Sequence, residues 1–191
     1  MSSTNRGLAR IEHDTYPTPD WLTHAIVPIL ESKIKSMGVW KNFRVYEPAC
    51  GSQKAIADIL EKSWENAEVS ATDIIAPWHA DFLNLDPHPV YDLIITNPPF
   101  SLAMEFIEKS FQWRKSDKSI VAMLLRLNFL GSKKRASWLR QHTPSVYVSP
   151  KRPSFALNKD GKRGTDSIEY AWFVWDGDPP RIHILPTENC G

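Results

Sequence analysis

The chain has 191 residues, of which 42% are hydrophobic and 24% charged, with a net charge of +1 and two cysteines, Cys50 and Cys190. That length suits one domain, spanning 1–191, able to bury a core without covalent staples, and the composition excludes a disordered or collagen-like chain. No apolar run approaches the ~20 residues of a membrane span, the N-terminal stretch lacks a secretory h-region, and the cysteines have neither CxxC nor metal spacing. A cytoplasmic protein with plain thiols and no bound metal is expected.

In chain order, Tyr16-Pro17-Thr18-Pro19-Asp20 opens a helical pattern in which Leu22, Ile26, Ile29, Leu30, Ile34 and Met37 recur at three- and four-residue steps. Thr18 is placed to cap it, Pro19 suits its first turn, Pro28 should kink its middle and Gly38 ends it. A strand at 43–46 runs into Glu47-Pro48-Ala49-Cys50-Gly51-Ser52, and a helix follows with Ile56, Ile59 and Leu60 toward the core. A second strand is expected at 69–74, ending in Thr72-Asp73, and 76–89 reads as loop with Asp81-Phe82 embedded. Leu93-Ile94-Ile95 is a buried strand that must stop at Asn97, because neither Pro98 nor Pro99 can donate to a sheet ladder. After it come a helix at 102–113, a strand at 120–125, a helix at 132–142, and strands at 146–148, 168–175 and 182–185. Trp172, Phe173 and Trp175 should alternate between two buried faces of the penultimate strand. Alternating strands and helices imply an α/β fold with a mostly parallel sheet, and the closing run of strands an antiparallel edge. Residues 151–167 read as a flexible basic loop.

The charge is segregated. From Arg126 to Arg163 ten Lys or Arg stand against one acid, Asp160, a surplus of +9 in 38 residues that leaves −8 for the rest of a chain totalling +1. A polyanionic partner would meet such a tract, since neutralised phosphates release counterions; a solvated helix face and a basic loop are the blander reading. Arg126, Lys133, Lys134, Arg135, Lys151, Arg152, Lys162 and Arg163 are the candidate contacts. Phe155 is a candidate wedge, with packing an equal alternative.

Three strand ends carry the chemistry. Gly51 closes a strand-to-helix turn where backbone can approach a ligand, and Glu47 sits four residues before it as an acceptor. One glycine is too few for a dinucleotide fingerprint, so the turn suits a cationic, phosphate-free ligand better. Asp73 stands 22 residues after Gly51, the spacing at which nucleotide-binding α/β folds set an acid on ribose hydroxyls. Either feature alone would be an ordinary helix-capping turn or loop cap. Third, Asn97 offers an amide oxygen and Pro98 a carbonyl, prolines hold both rigidly, and Phe100 adds a flat face. Together they form a receptor for a planar group bearing an NH₂.

At these residues the sequence resembles the S-adenosylmethionine-dependent DNA N6-adenine methyltransferases, most of all the short ones of bacteriophages and prophages. "YPTP" looks like their N-terminal cofactor motif, "EPACGS" the cofactor loop, "TDI" the ribose-binding acid, "DFL" the adenine-ring contact and "NPPF" the catalytic motif, in γ-like order. The resemblance implies a Rossmann-like class I methyltransferase fold with helices on both faces. It also implies cofactor contacts from Tyr16, Thr18, Glu47, Pro48, Ala49, Cys50, Gly51, Asp73, Ile74, Asp81, Phe82 and Asn97, and catalysis by Asn97, Pro98, Pro99 and Phe100 on a flipped-out adenine. Gln53 stands where the family often has a second glycine, and no sizeable target-recognition domain follows the catalytic motif. Methylation of RNA adenine or of a protein glutamine amide, and a nucleotide-binding module without catalysis, are the alternatives.

Overall fold

The structure is a computed structural model that describes residues 17–75, 79–153 and 168–187. Tyr16, Phe155, Lys162 and Arg163, and residues 154–167 of the expected basic loop, lie outside the described residues.

Helix α1 (Asp20–Ser36) precedes strand β1 (Phe43–Glu47), α2 (Ala57–Ser63) and β2 (Ala67–Ala71). Then follow β3 (Leu93–Thr96), a 3-10 turn (Phe100–Leu102), α3 (Ala103–Trp113) and β4 (Ile120–Arg126). A second 3-10 turn (Leu127–Leu130) leads to α4 (Ala136–Gln141), β5 (Ser145–Val148), β6 (Tyr170–Trp175) and β7 (Ile182–Ile184). The strands form one sheet in the order β2-β1-β3-β4-β6-β5-β7. β2, β1, β3 and β4 are parallel, so the loops that follow them leave the same edge. The antiparallel side of the sheet rests on a single strand, β6, paired with β4 on one flank and β5 on the other, while β7 runs parallel to β5.

The two faces follow the period of two that a pleated strand imposes. Val45, Leu93, Ile95, Ile120, Ala122, Leu124, Trp172 and Val174 face α1 and α2 in one cluster. Tyr46, Ile94, Val121, Met123, Leu125, Phe173 and Trp175 face α3 and α4 in the other. Trp172 and Trp175 therefore fall on opposite faces. Asp92, 2% exposed, accepts the Arg44 N–H at 3.0 Å and pairs with Lys115 at 3.3 Å, which fixes the start of β3 beside β1.

Local differences have local causes. Pro19, with φ −59° and ψ 132°, is the extended residue before α1, so Thr18 makes no side-chain cap and is buried instead. Pro28 does not end α1: its ring costs the bond to the carbonyl of His24, and both residues lie on the exposed side of the helix. β2 ends at Ala71, three residues before the expected limit, since Ile74 is half exposed rather than packed in the sheet. α4 starts at Ala136 because residues 133–135 form a turn.

Candidate functional site

The turn after β1 is the centre of the site. Gly51 has φ +62°, in the left-handed region that favours glycine. Its N–H donates to Asp73 Oδ2 at 2.8 Å, and Asp73 Oδ1 accepts the Ile75 N–H at 2.9 Å. Backbone bonds from Cys50 N–H to the Thr72 carbonyl (3.0 Å) and from Thr72 N–H to the Glu47 carbonyl (2.9 Å) zip the two strand ends together. On the other flank the Thr96 hydroxyl donates to the Ala49 carbonyl at 3.3 Å, tying the residue before Asn97 to the same turn. The segment 47–51 is thus held from both neighbouring strands.

Glu47 is 1% exposed, and its Oε2 accepts the Ala57 N–H at 2.8 Å, satisfying a donor at the start of α2. Burial pushes its carboxyl up from 4.5 to about 8, against the pull of the Ala57 N–H and the Lys54 ammonium. Burial likewise pushes the Cys50 thiol up to about 12, with Glu47 and Asp73 adding to the effect. An incoming cation would favour the ionised form of Glu47.

These groups line a cleft with about 900 Å³ of empty space, part of it open to solvent. Thr18, Glu47, Pro48, Ala49, Cys50, Gly51, Asp73, Ile74, Asp81, Phe82, Asn97 and Pro99 all face it. Residues outside the motifs also contribute, notably Ile75, Leu102 and Phe106. Leu102 and Phe106 are one helical turn apart, and that i, i+4 spacing at the start of α3 was the signal available. Ile74 is 50% exposed and Leu102 39%, so the cleft offers apolar surface that no neighbour covers.

Some expected contacts are differently used. Phe82 is 2% exposed and packs against Tyr46, Phe106 and Trp113 at 5.3–5.7 Å, so it supports the cleft floor more than it presents a stacking plate. Asp81 Oδ2 accepts the Asn84 amide at 2.6 Å. Pro98 is buried behind the cleft lining. Phe100 is not an open face: Tyr170 lies 5.6 Å from its ring and the Arg126 guanidinium 4.5 Å.

Three cations of the basic tract follow the same sheet edge: Arg126 ends β4, and Lys151 and Arg152 follow β5, which runs parallel to β4. Lys133 and Lys134 are exposed. Arg135 is held by two bonds to the Phe129 carbonyl, at 2.9 and 3.0 Å, and lies 4.4 Å from that residue's ring. Arg152 pairs with Glu169 at 2.6 Å, and the Lys151 ammonium lies 5.8 Å from the ring of Trp21.

No family model matches the sequence, and no curated protein matches it either. Solved structures do, and they define the architecture: a Rossmann-like class I methyltransferase fold. A predicted O-methyltransferase from Agrobacterium tumefaciens aligns with a TM-score of 0.57 at 13% identity, over 87% of this chain and 85% of that one. The plantazolicin methyltransferase, solved in complex with SAH, aligns with a TM-score of 0.51 at 12% identity, over 82% and 85%. A Vibrio vulnificus protein assigned as the modification subunit of a type I restriction enzyme gives 0.53 at 14% identity; 91% of this chain aligns, spanning 48% of that one. At these identities the likeness is one of fold. Among the described residues no helix is long and apolar enough to cross a membrane.

Proposed function

We propose that the protein transfers a methyl group from S-adenosylmethionine to the exocyclic N6 of adenine in DNA. One observation carries the reading: Asn97, delivered by β3 to the carboxyl edge of the sheet, faces the same cleft as Glu47, Gly51 and Asp73. Open α/β sheets bind ligands at that edge.

The residues present fit this cofactor. Asp73 lines the wall, and a cation arriving beside it would draw Glu47 into its ionised form. Asp73 uses one bond per oxygen on Gly51 and Ile75, and an ionised carboxylate has about four acceptor sites, so capacity is left for ribose hydroxyls. The uncovered side chain of Ile74 suits a planar ring. When bound, the cofactor supplies a methyl group on a cationic sulfur, which becomes a neutral thioether as the sulfur–carbon bond breaks and the nitrogen–carbon bond forms.

An adenine amino group is a weak nucleophile because its lone pair is delocalised into the ring. In this reading Asn97 Oδ1 and the Pro98 carbonyl accept its two hydrogens, which favours a pyramidal nitrogen aimed at the methyl. Prolines fix these acceptors beforehand, so little reorganisation is needed. The methylated nitrogen is cationic and acidic, and its proton passes to solvent. The +9 surplus between Arg126 and Arg163 supports a nucleic acid as the acceptor. A protein glutamine amide is the second reading; the covering of Phe100 by Arg126 favours it, because an amide needs no stacking face.

Tritiated methyl transfer from S-adenosylmethionine to duplex DNA, RNA and polypeptide separates these readings. Label in DNA recovered as N6-methyladenine is expected. Label confined to RNA or protein, or saturable cofactor binding with no transfer to any acceptor, overturns the proposal.

A further inference from the structure

Arg126 ends β4, next to the strand that carries the Asn-Pro-Pro-Phe corner. The ladder pairs Thr96 with Met123, so Arg126 stands level with the corner itself. Its guanidinium lies 4.5 Å from the centre of the Phe100 ring. Tyr170, its partner across the β4–β6 ladder, meets the same ring at 5.6 Å. The Nε of Arg126 is buried without a hydrogen-bond partner, and among the described residues the side chain forms no ion pair.

The contrast with neighbouring arginines is chemical. Arg135 is anchored on a backbone carbonyl and Arg152 on a carboxylate, whereas Arg126 rests on an aromatic ring. A guanidinium with a buried, unmet donor gains by moving to a phosphate, where two charge-assisted bonds replace one cation–π contact. The ring it leaves is the flat face that a base entering the corner would need.

We propose that Arg126 is a counter-ion gate on Phe100: it lies on the ring in the free protein and transfers to a backbone phosphate of the acceptor nucleotide, uncovering the ring for the extruded base. This rests on the nucleic-acid reading of the site. Arg126 acts here as a positioning residue, ordering base entry rather than taking part in methyl transfer.

The test uses the full chain, duplex DNA as probe, and the variants Arg126→Gln and Arg126→Lys. Log–log salt dependence of DNA binding, the KM and kcat for methyl transfer to DNA, the cofactor affinity by calorimetry and the urea midpoint are measured together. For Arg126→Gln the salt slope falls by about 0.9 and the KM for DNA rises about tenfold, while cofactor affinity stays within about twofold. Arg126→Lys keeps the slope and recovers part of the KM. An unchanged salt slope in Arg126→Gln overturns the gate, and so does a lowered urea midpoint with slope and KM intact, which marks a packing role. Binding is read independently of transfer: a protein that binds DNA but methylates nothing fails as an enzyme while the slope still decides Arg126. Absence of salt-dependent DNA binding in the unaltered protein overturns the gate as well.

Discussion

The two halves of the sheet's carboxyl edge are built on opposite plans. Around β1 and β2, buried acids are tied to backbone donors: Glu47 to Ala57, and Asp73 to Gly51 and Ile75. Around β4, β5 and β6, Arg135 and Arg152 are anchored, but Arg126 lies on the Phe100 ring and Lys133 and Lys134 stand exposed. The first half is preorganised, because its polar groups are satisfied before a ligand arrives. The second keeps weak contacts that a ligand can replace at small cost. In the proposed reading, a small cofactor and a large polyanion make these different demands on one fold.

The largest effect should come where the halves meet. Asn97→Ala removes one fixed acceptor and should cost on the order of 3 kcal/mol of transition-state stabilisation, a loss of some hundredfold in kcat that exceeds any loss of cofactor affinity. Steady-state methyl transfer with isothermal titration checks it. Within the preorganised half, Asp73→Ala strands the Gly51 and Ile75 N–H groups. A loss of about 2 kcal/mol in urea unfolding and a cofactor affinity weakened by about tenfold or more are expected.

Glu47 gives a pH signature. Its folded-state pKa is raised to about 8 from 4.5, so the folded protein keeps a proton that the unfolded chain has lost in between. Stability of the free protein therefore declines as pH rises from about 4.5 to about 8 and levels beyond. Thermal unfolding across that range should show the decline, and Glu47→Gln should flatten it. Smallest of all is the exposed pair: replacing Lys133 and Lys134 by Ala should weaken DNA binding evenly across sequences and reduce the salt slope by about 1.8, with stability unchanged within about 0.5 kcal/mol. A stability loss as large as that of Asp73→Ala would erase the distinction between the halves.

Sequence periodicity revealed the strands whose two faces are both buried, since runs such as Leu93-Ile94-Ile95 have no other stable home. It also put the three motif-bearing turns at strand ends, where cleft-lining residues collect. Pattern alone misread residues whose apolar character serves the cleft. Ile74 reads as the last residue of a strand and is half exposed beside the pocket, and Leu102, which reads as the first residue of a helix, lines the same cleft. Partners distant in sequence were invisible too: nothing local announces that Arg126 will lie on Phe100, or that β6 will enter between β4 and β5. Phe82, read as a ligand contact, lines the cleft and also packs in an aromatic cluster with Tyr46 and Trp113 that no local pattern announced.

The buried indole of Trp172 donates to the carbonyl of Leu22 at 3.0 Å, across 150 positions of chain. α1, which brings Pro17 and Thr18 to the cleft, is therefore fastened by β6. During synthesis at about 5–20 residues per second, the fastener leaves the ribosome roughly 8–30 s after the helix it secures. A nascent polypeptide stalled before that strand can assemble the Gly51 turn against Asp73 and lay α1 on α2, yet it lacks the tie that pins the amino-terminal wall, so that wall is fastened last.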